Sequence, residues 1–148
     1  MKIITVVVCA ALLACSSSPP STTPSRAAGA SSAAPGAIAR VYFWRAKPGK
    51  LAEYNRYVRD IAAPIDEEAR RRGAFISVTT YIARDTTLPW THMRVFVLRD
   101  SAQLAGLSAA LAAAGAAMEP DSVKRRQQSE YSATLRDAVS NGVMDILR

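Results

Sequence analysis

The sequence predicts an α+β domain, a single antiparallel sheet with its helices on one face, and three observations predict it. Residues 39–45, Ala-Arg-Val-Tyr-Phe-Trp-Arg, make a strand rich in β-branched and aromatic residues. Lys47-Pro-Gly-Lys50 breaks that strand, and an apolar helical stripe opens at Leu51. Two alternating stretches, 75–82 and 92–98, then follow each other with no helix between them. With two later helical stretches and a short final segment, the order is strand-helix-strand-strand-helix-(helix)-strand, a split arrangement around one sheet.

Two segments precede this domain. Residues 1–14 carry one charge, Lys2, and then an uncharged run from Ile3 to Leu13, the length of a signal-peptide core and too short to span a bilayer. The run ends in Leu12-Leu-Ala-Cys15, which resembles the lipobox of bacterial lipoproteins. That resemblance implies cleavage before Cys15 and acylation of Cys15. It places the domain in the bacterial cell envelope, lipid-anchored on the periplasmic or extracellular side. Two or more acyl chains would give stable anchoring. Cys15 and the Ser-, Pro- and Ala-rich stretch to residue 37 form a linker that cannot bury enough apolar surface to order itself. As a flexible coil it would span about 25 Å. The remaining cysteine, Cys9, lies in the leader, so the domain at 38–148 has neither disulfide nor thiol nucleophile. The formal net charge is +7, or about +6 without Lys2, carried mostly by arginines interspersed with acids. Outside the cytoplasm such a charge suits anionic lipid or acidic small molecules better than nucleic acid.

The elements follow in order. Strand one, 38–46, sets Val41 and Phe43 on one face and Tyr42 and Trp44 on the other, so both faces need cover. Helix one, 48–72, repeats Leu51, Tyr54, Val58, Ile61, Ile65 and Ala69 at three- and four-residue spacings. Pro64 should kink or split it, Asp66-Glu-Glu68 read as an exposed first turn of its second half, and Gly73 stops it. In strand two, 75–82, Ile76, Val78, Thr80 and Ile82 form the core face. A polar loop, 83–90, is long enough for a flap or contact element. Strand three, 92–98, offers Met93, Val95 and Val97 to the helices and turns His92, Arg94 and Phe96 away. Asp100-Ser-Ala-Gln103 has capping-box spacing before a helix with the stripe Leu104, Leu107, Leu111 and Ala114. Asp121 or Ser122 caps a third helix, striped by Val123, Gln127, Tyr131, Leu135 and Val139, and Asn141-Gly142 end it. Residues 143–148 read as a final strand.

This is the ferredoxin-like order. The first strand, Lys47-Pro-Gly-Lys50-Leu and Glu53-Tyr54 together resemble the dimeric α+β barrel superfamily, with its antibiotic-biosynthesis-monooxygenase-like and NIPSNAP-like domains. The resemblance covers residues 38–111. It implies two sheets pairing into a barrel in a homodimer, helices outside, and a pocket on the sheet face opposite the helices. The extra helix before the last strand departs from the simplest members.

No His/Cys cluster and no glycine-rich phosphate loop exists, so neither a metal nor a nucleotide site is expected. Haem-binding members of the superfamily use a histidine, and His92 is the sole histidine, but no other feature supports haem and no cofactor is expected. Strand three lacks the spaced aromatics that stack bases, which argues against RNA. Chemistry is left to one sheet face carrying Tyr42, Trp44, Tyr81, His92 and Arg94. It reads either as a pocket for a small apolar, aromatic or acidic ligand or as an interface between two copies. The first makes the protein a binding or interaction module. The alternative is a cofactor-independent oxygenase or isomerase in which His92 or Arg94 assists proton transfer on an aromatic substrate.

Overall fold

A computed structural model describes residues 36–147. The leader, Cys15 and most of the linker lie outside the described residues.

The elements are β1 (Ile38–Ala46), α1 (Leu51–Tyr57), a π-helical turn (Val58–Ala62), α2 (Ala63–Arg71), β2 (Ser77–Ile82), β3 (His92–Leu98), α3 (Ser101–Met118), α4 (Ser122–Leu135) and β4 (Arg136–Asp145). The four strands pair antiparallel in the order β2-β3-β1-β4. This is the ferredoxin-like α+β fold.

Local chemistry explains the boundaries. Gly49, at φ +72°, lets the chain turn between β1 and α1. Gly73, at φ +81°, closes α2: its N–H donates to Arg70 O, and Ala74 N–H donates to Ala69 O, a paired C-terminal lock. Asp100 caps α3 by accepting from Gln103 N–H at 2.8 Å, and the Gln103 amide donates to Gly73 O at 2.7 Å, tying the start of α3 to the end of α2. Asp121 caps α4 through Val123 and Lys124.

Helix one is divided into α1 and α2 close to Pro64, with helical dihedrals kept through the junctions. The chain passes from α1 into α2 through the π turn, with Pro64 in the first turn of α2. Proline has no N–H to give to Asp60 O and its ring crowds that carbonyl; the wider π turn accommodates both.

The main core lies between sheet and helices: Ala69, Phe75, Phe96, Leu98, Leu107 and Ala114, with Val78, Leu104 and Leu111 against it. A smaller cluster joins Ala46, Tyr54 and Leu135. The faces of β3 are therefore the reverse of the sequence expectation. His92, Arg94, Phe96 and Leu98 are buried toward the helices, and Met93, Val95 and Val97 lie half-exposed on the open face. Both rows are apolar enough to serve as core. Phe96 fits the gap between Phe75 and Tyr42, and Arg94 finds a buried carboxylate on α2, and together these set the choice.

Two more expectations change. The third helix ends at Leu135, and the final strand begins at Arg136 rather than 143. Pairing along all of β1 outweighs the helical periodicity of Asp137-Ala-Val-Ser-Asn-Gly, in which every residue but Ala138 is a weak helix former. The buried line of α4 runs through Ser132 and Leu135, leaving Val123 and Tyr131 exposed. The loop after β2 folds back on β1: Thr91 N–H donates to Trp44 O, and Arg45 donates to Leu88 O at 2.7 Å.

Candidate functional site

Strand register brings four of the five predicted residues together. Tyr42 is opposite Arg94, and Trp44 is opposite His92. Paired residues on adjacent antiparallel strands share a face, so all four point toward the helices. Tyr42 and Trp44 stack with ring centroids 5.3 Å apart. Tyr81 is opposite Met93, which puts it on the open face, half-exposed. Strand alternation separates it from the others, and it does not belong to this site.

His92 is fully buried. Its Nε2 donates to Asn55 Oδ1 at 2.8 Å, and Nδ1 accepts from Thr91 Oγ1 at 3.0 Å. Thr91 Oγ1 itself accepts from Ala46 N–H at 2.7 Å. Tyr54 packs edge-on against the imidazole, 4.3 Å between centroids. Burial, with the Arg136 charge adding to it, pushes the His92 pKa down to about 4. The imidazole is thus a neutral tie between β3 and α1, with both ring nitrogens occupied.

Arg94 forms a buried ion pair from Nη2 to Asp66 Oδ2. The two residues are 7% and 5% exposed, and Arg94 Nε has no partner. Burial lowers the pKa of Arg94 from its ordinary value, although a guanidinium paired to a carboxylate stays charged. Above this pair is a cavity of about 270 Å³ lined by Tyr54, Tyr57, Val58, Ala62, Ile65, Asp66, Arg94, Leu111 and Arg136. It neighbours a groove of about 410 Å³ between the π turn, α3 and α4, and Tyr57, Ile65 and Arg136 line both. Of the predicted residues only Arg94 lines the cavity. Trp44 lies behind its wall, with the Arg136 guanidinium 4.1 Å from its ring.

Two one-residue irregularities aim the charged groups. From Tyr54 to Asp66 a regular helix, turning about 100° per residue, would leave the side chains roughly 120° apart; the π turn takes up one residue and closes this to about 20°. Asp66 therefore faces inward with Tyr54, not outward as a capping residue. In β4 a bulge shifts the register between Phe43 and Trp44, so that Ala46 is opposite Arg136. Continued from Phe43↔Ser140 without the shift, the register would set Asp137 there, and the acid would face the helices instead. Arg136 Nη1 donates to Tyr54 OH at 2.9 Å. Burial raises the Tyr54 pKa against the pull of that arginine, so the phenol stays protonated.

Sequence reasoning missed Tyr54, Tyr57, Asp66 and Arg136 as site residues. One signal pointed to Asp66: an arginine alternating with His92 and Phe96 on a core-facing strand requires a buried carboxylate. Among the described residues no group of three His, Cys, Asp or Glu is placed to hold a metal. The cavity offers aromatic walls, one neutralised ion pair and one further guanidinium, a set suited to holding a flat molecule.

No protein-family model matches the chain, and no curated protein matches it. Two solved structures resemble it. HapK from Hahella chejuensis has a TM-score of 0.50 at 9% identity, covering 74% of this chain and 92% of that one. SnoaB, a cofactor-independent oxygenase from Streptomyces nogalater, has a TM-score of 0.49 at 16% identity, covering 76% of this chain and 95% of that one. At 9% identity the likeness to HapK speaks to fold alone, and it agrees with the sheet order: the chain has the ferredoxin-like α+β fold.

Proposed function

We propose that the domain binds a small apolar or aromatic ligand in the helix-covered cavity. The observation that carries this is the cavity itself: about 270 Å³, walled by Tyr54, Tyr57, Ile65 and Leu111 over a buried ion pair. Pockets of this kind, mostly apolar with a few fixed polar groups, are where small molecules bind. The neutral fluorescent probe N-phenyl-1-naphthylamine should bind the wild type saturably. Ala62→Phe, which fills the cavity from the π turn, should weaken it at least tenfold; equal binding by both proteins would place the probe elsewhere. The oxygenase or isomerase alternative loses one of its two proton-transfer candidates, because His92 is buried outside the cavity with both nitrogens engaged, and keeps Arg94, which lines the cavity paired to Asp66. It survives only if an electron-rich phenol is turned over without added cofactor.

The domain is proposed to pair with a second copy through its open sheet face. Phe43, Met93, Val95, Val97, Tyr81 and Met144 share that face by register, and Trp90 packs on Phe43 with centroids 5.6 Å apart. One layer of helices covers the other side only, so this apolar row needs a partner. Attachment to a membrane through acylated Cys15 is the accompanying proposal, resting on the short uncharged run from Ile3 to Leu13, on Leu12-Leu-Ala-Cys15 and on the serines that follow. Cys15→Ser should yield unprocessed or soluble protein, and a variant that stays with carbonate-washed membranes at unchanged gel mobility would refute it.

A further inference from the structure

Among the described arginines, Arg40, Arg45, Arg56, Arg84, Arg99, Arg125 and Arg136 have no carboxylate partner, and of these only Arg136 lines the cavity. Arg70, Arg71, Arg72 and Arg94 each have a carboxylate partner, and Arg125 is engaged with the carbonyls of Glu119 and Pro120. Among the described residues no carboxylate pairs with Arg136. Its guanidinium uses Nη1 for Tyr54 OH and rests on the Trp44 ring. That fixes its plane and leaves the other N–H groups for a ligand. It lines both the cavity and the neighbouring groove. The acid in the cavity, Asp66, is already neutralised by Arg94, and the groove has Arg125 and Arg136 in its wall but no carboxylate. The site as a whole thus carries uncompensated positive charge beside the Tyr54 and Tyr57 rings.

Resting on the ligand-binding reading above, we infer that the ligand is an aromatic anion, a carboxylate or a phenolate. Its ring lies against Tyr57 and Ile65, and its charged group takes the free N–H groups of Arg136. The bulge in β4 supplies the reason for the position: without it the opposite charge would face the site. Tyr57 and Ile65 line both the cavity and the groove and join the two.

The test compares 2-naphthoate with its neutral isostere 2-naphthamide by calorimetry on residues 36–148 in low salt. Wild type should bind the acid about tenfold or more tightly than the amide, the range of a charge-assisted hydrogen bond, and the difference should shrink as salt rises. Arg136→Met should lose the preference while still binding the amide, and Arg136→Lys should keep part of it. Equal binding of acid and amide by wild type would overturn the inference while leaving the ligand-binding reading intact. So would an Arg136→Met protein that keeps the preference. Binding of neither compound would overturn both. The wild-type comparison stands even if Arg136→Met does not fold.

Discussion

At the scale of single residues, a buried polar layer keeps its partners: Asp66 with Arg94, Glu68 with Arg71 and Arg72, and His92 with Asn55 and Thr91. His92 shows what this does to stability. Folded, it stays neutral down to about pH 4; unfolded, it takes up a proton near its ordinary value of about 6.5. Between those limits the unfolded chain binds the extra proton, so stability falls as pH falls through the window and levels off below it. The full shift corresponds to about 3 kcal/mol. Urea denaturation at pH 7 and pH 4 should show wild type losing about that much more than His92→Gln, since the shared carboxylates titrate in both. Equal losses would mean that His92 is not held neutral. This layer was only half legible in the sequence. Tyr42, Trp44, His92 and Arg94 could be grouped from strand alternation, because a period of two survives any tertiary context. Which face they served could not, because both rows of β3 are apolar and only the Arg94–Asp66 pair and the fit of Phe96 decide it.

At the scale of elements, the helix after β1 departs from regularity where it forms the cavity wall. Val58 and Ala62 begin and end the π turn, and both line the cavity. A π turn behaves as a one-residue insertion, and such insertions commonly mark functional sites. Deleting exposed Asp60 together with Pro64→Ala should restore a continuous α-helix while Tyr54 and Asp66 both stay inward. Stability should not fall, and ligand affinity should drop severalfold because the wall has moved. A loss of about 3–5 kcal/mol, the cost of breaking a buried ion pair, would show that the π turn is needed for folding. The sequence marked the place through Pro64 but not the outcome, since proline is compatible with a kink, a break or a widened turn. The last strand was misplaced for a related reason. Tyr131, Leu135 and Val139 continue a helical period into residues that β1 recruits as a paired strand. Non-local pairing is invisible to a local pattern.

At the scale of the molecule, the sheet divides two tasks: helices border an open cavity on one face, and the other face is left apolar. Light scattering on residues 36–148 should give twice the monomer mass, and Val95→Glu, on the open face beside Val41, should return it to the monomer. A stable monomer of the wild type at micromolar concentration would contradict this. The order of strands and helices, and so the fold, could be read from turns, caps and alternation; the side on which a ligand would sit could not. That choice of side is the central claim, and the two tryptophans report on it from opposite faces. Trp44 lies under Arg136 at the helix-covered cavity, and Trp90 packs on Phe43 at the open face. In Trp90→Phe, with Trp44 the sole tryptophan, 2-naphthoate should quench the tryptophan emission saturably; in Trp44→Phe, the emission of Trp90 should not change. Quenching of Trp90 with Trp44 unaffected would put the ligand on the open sheet face and contradict the account.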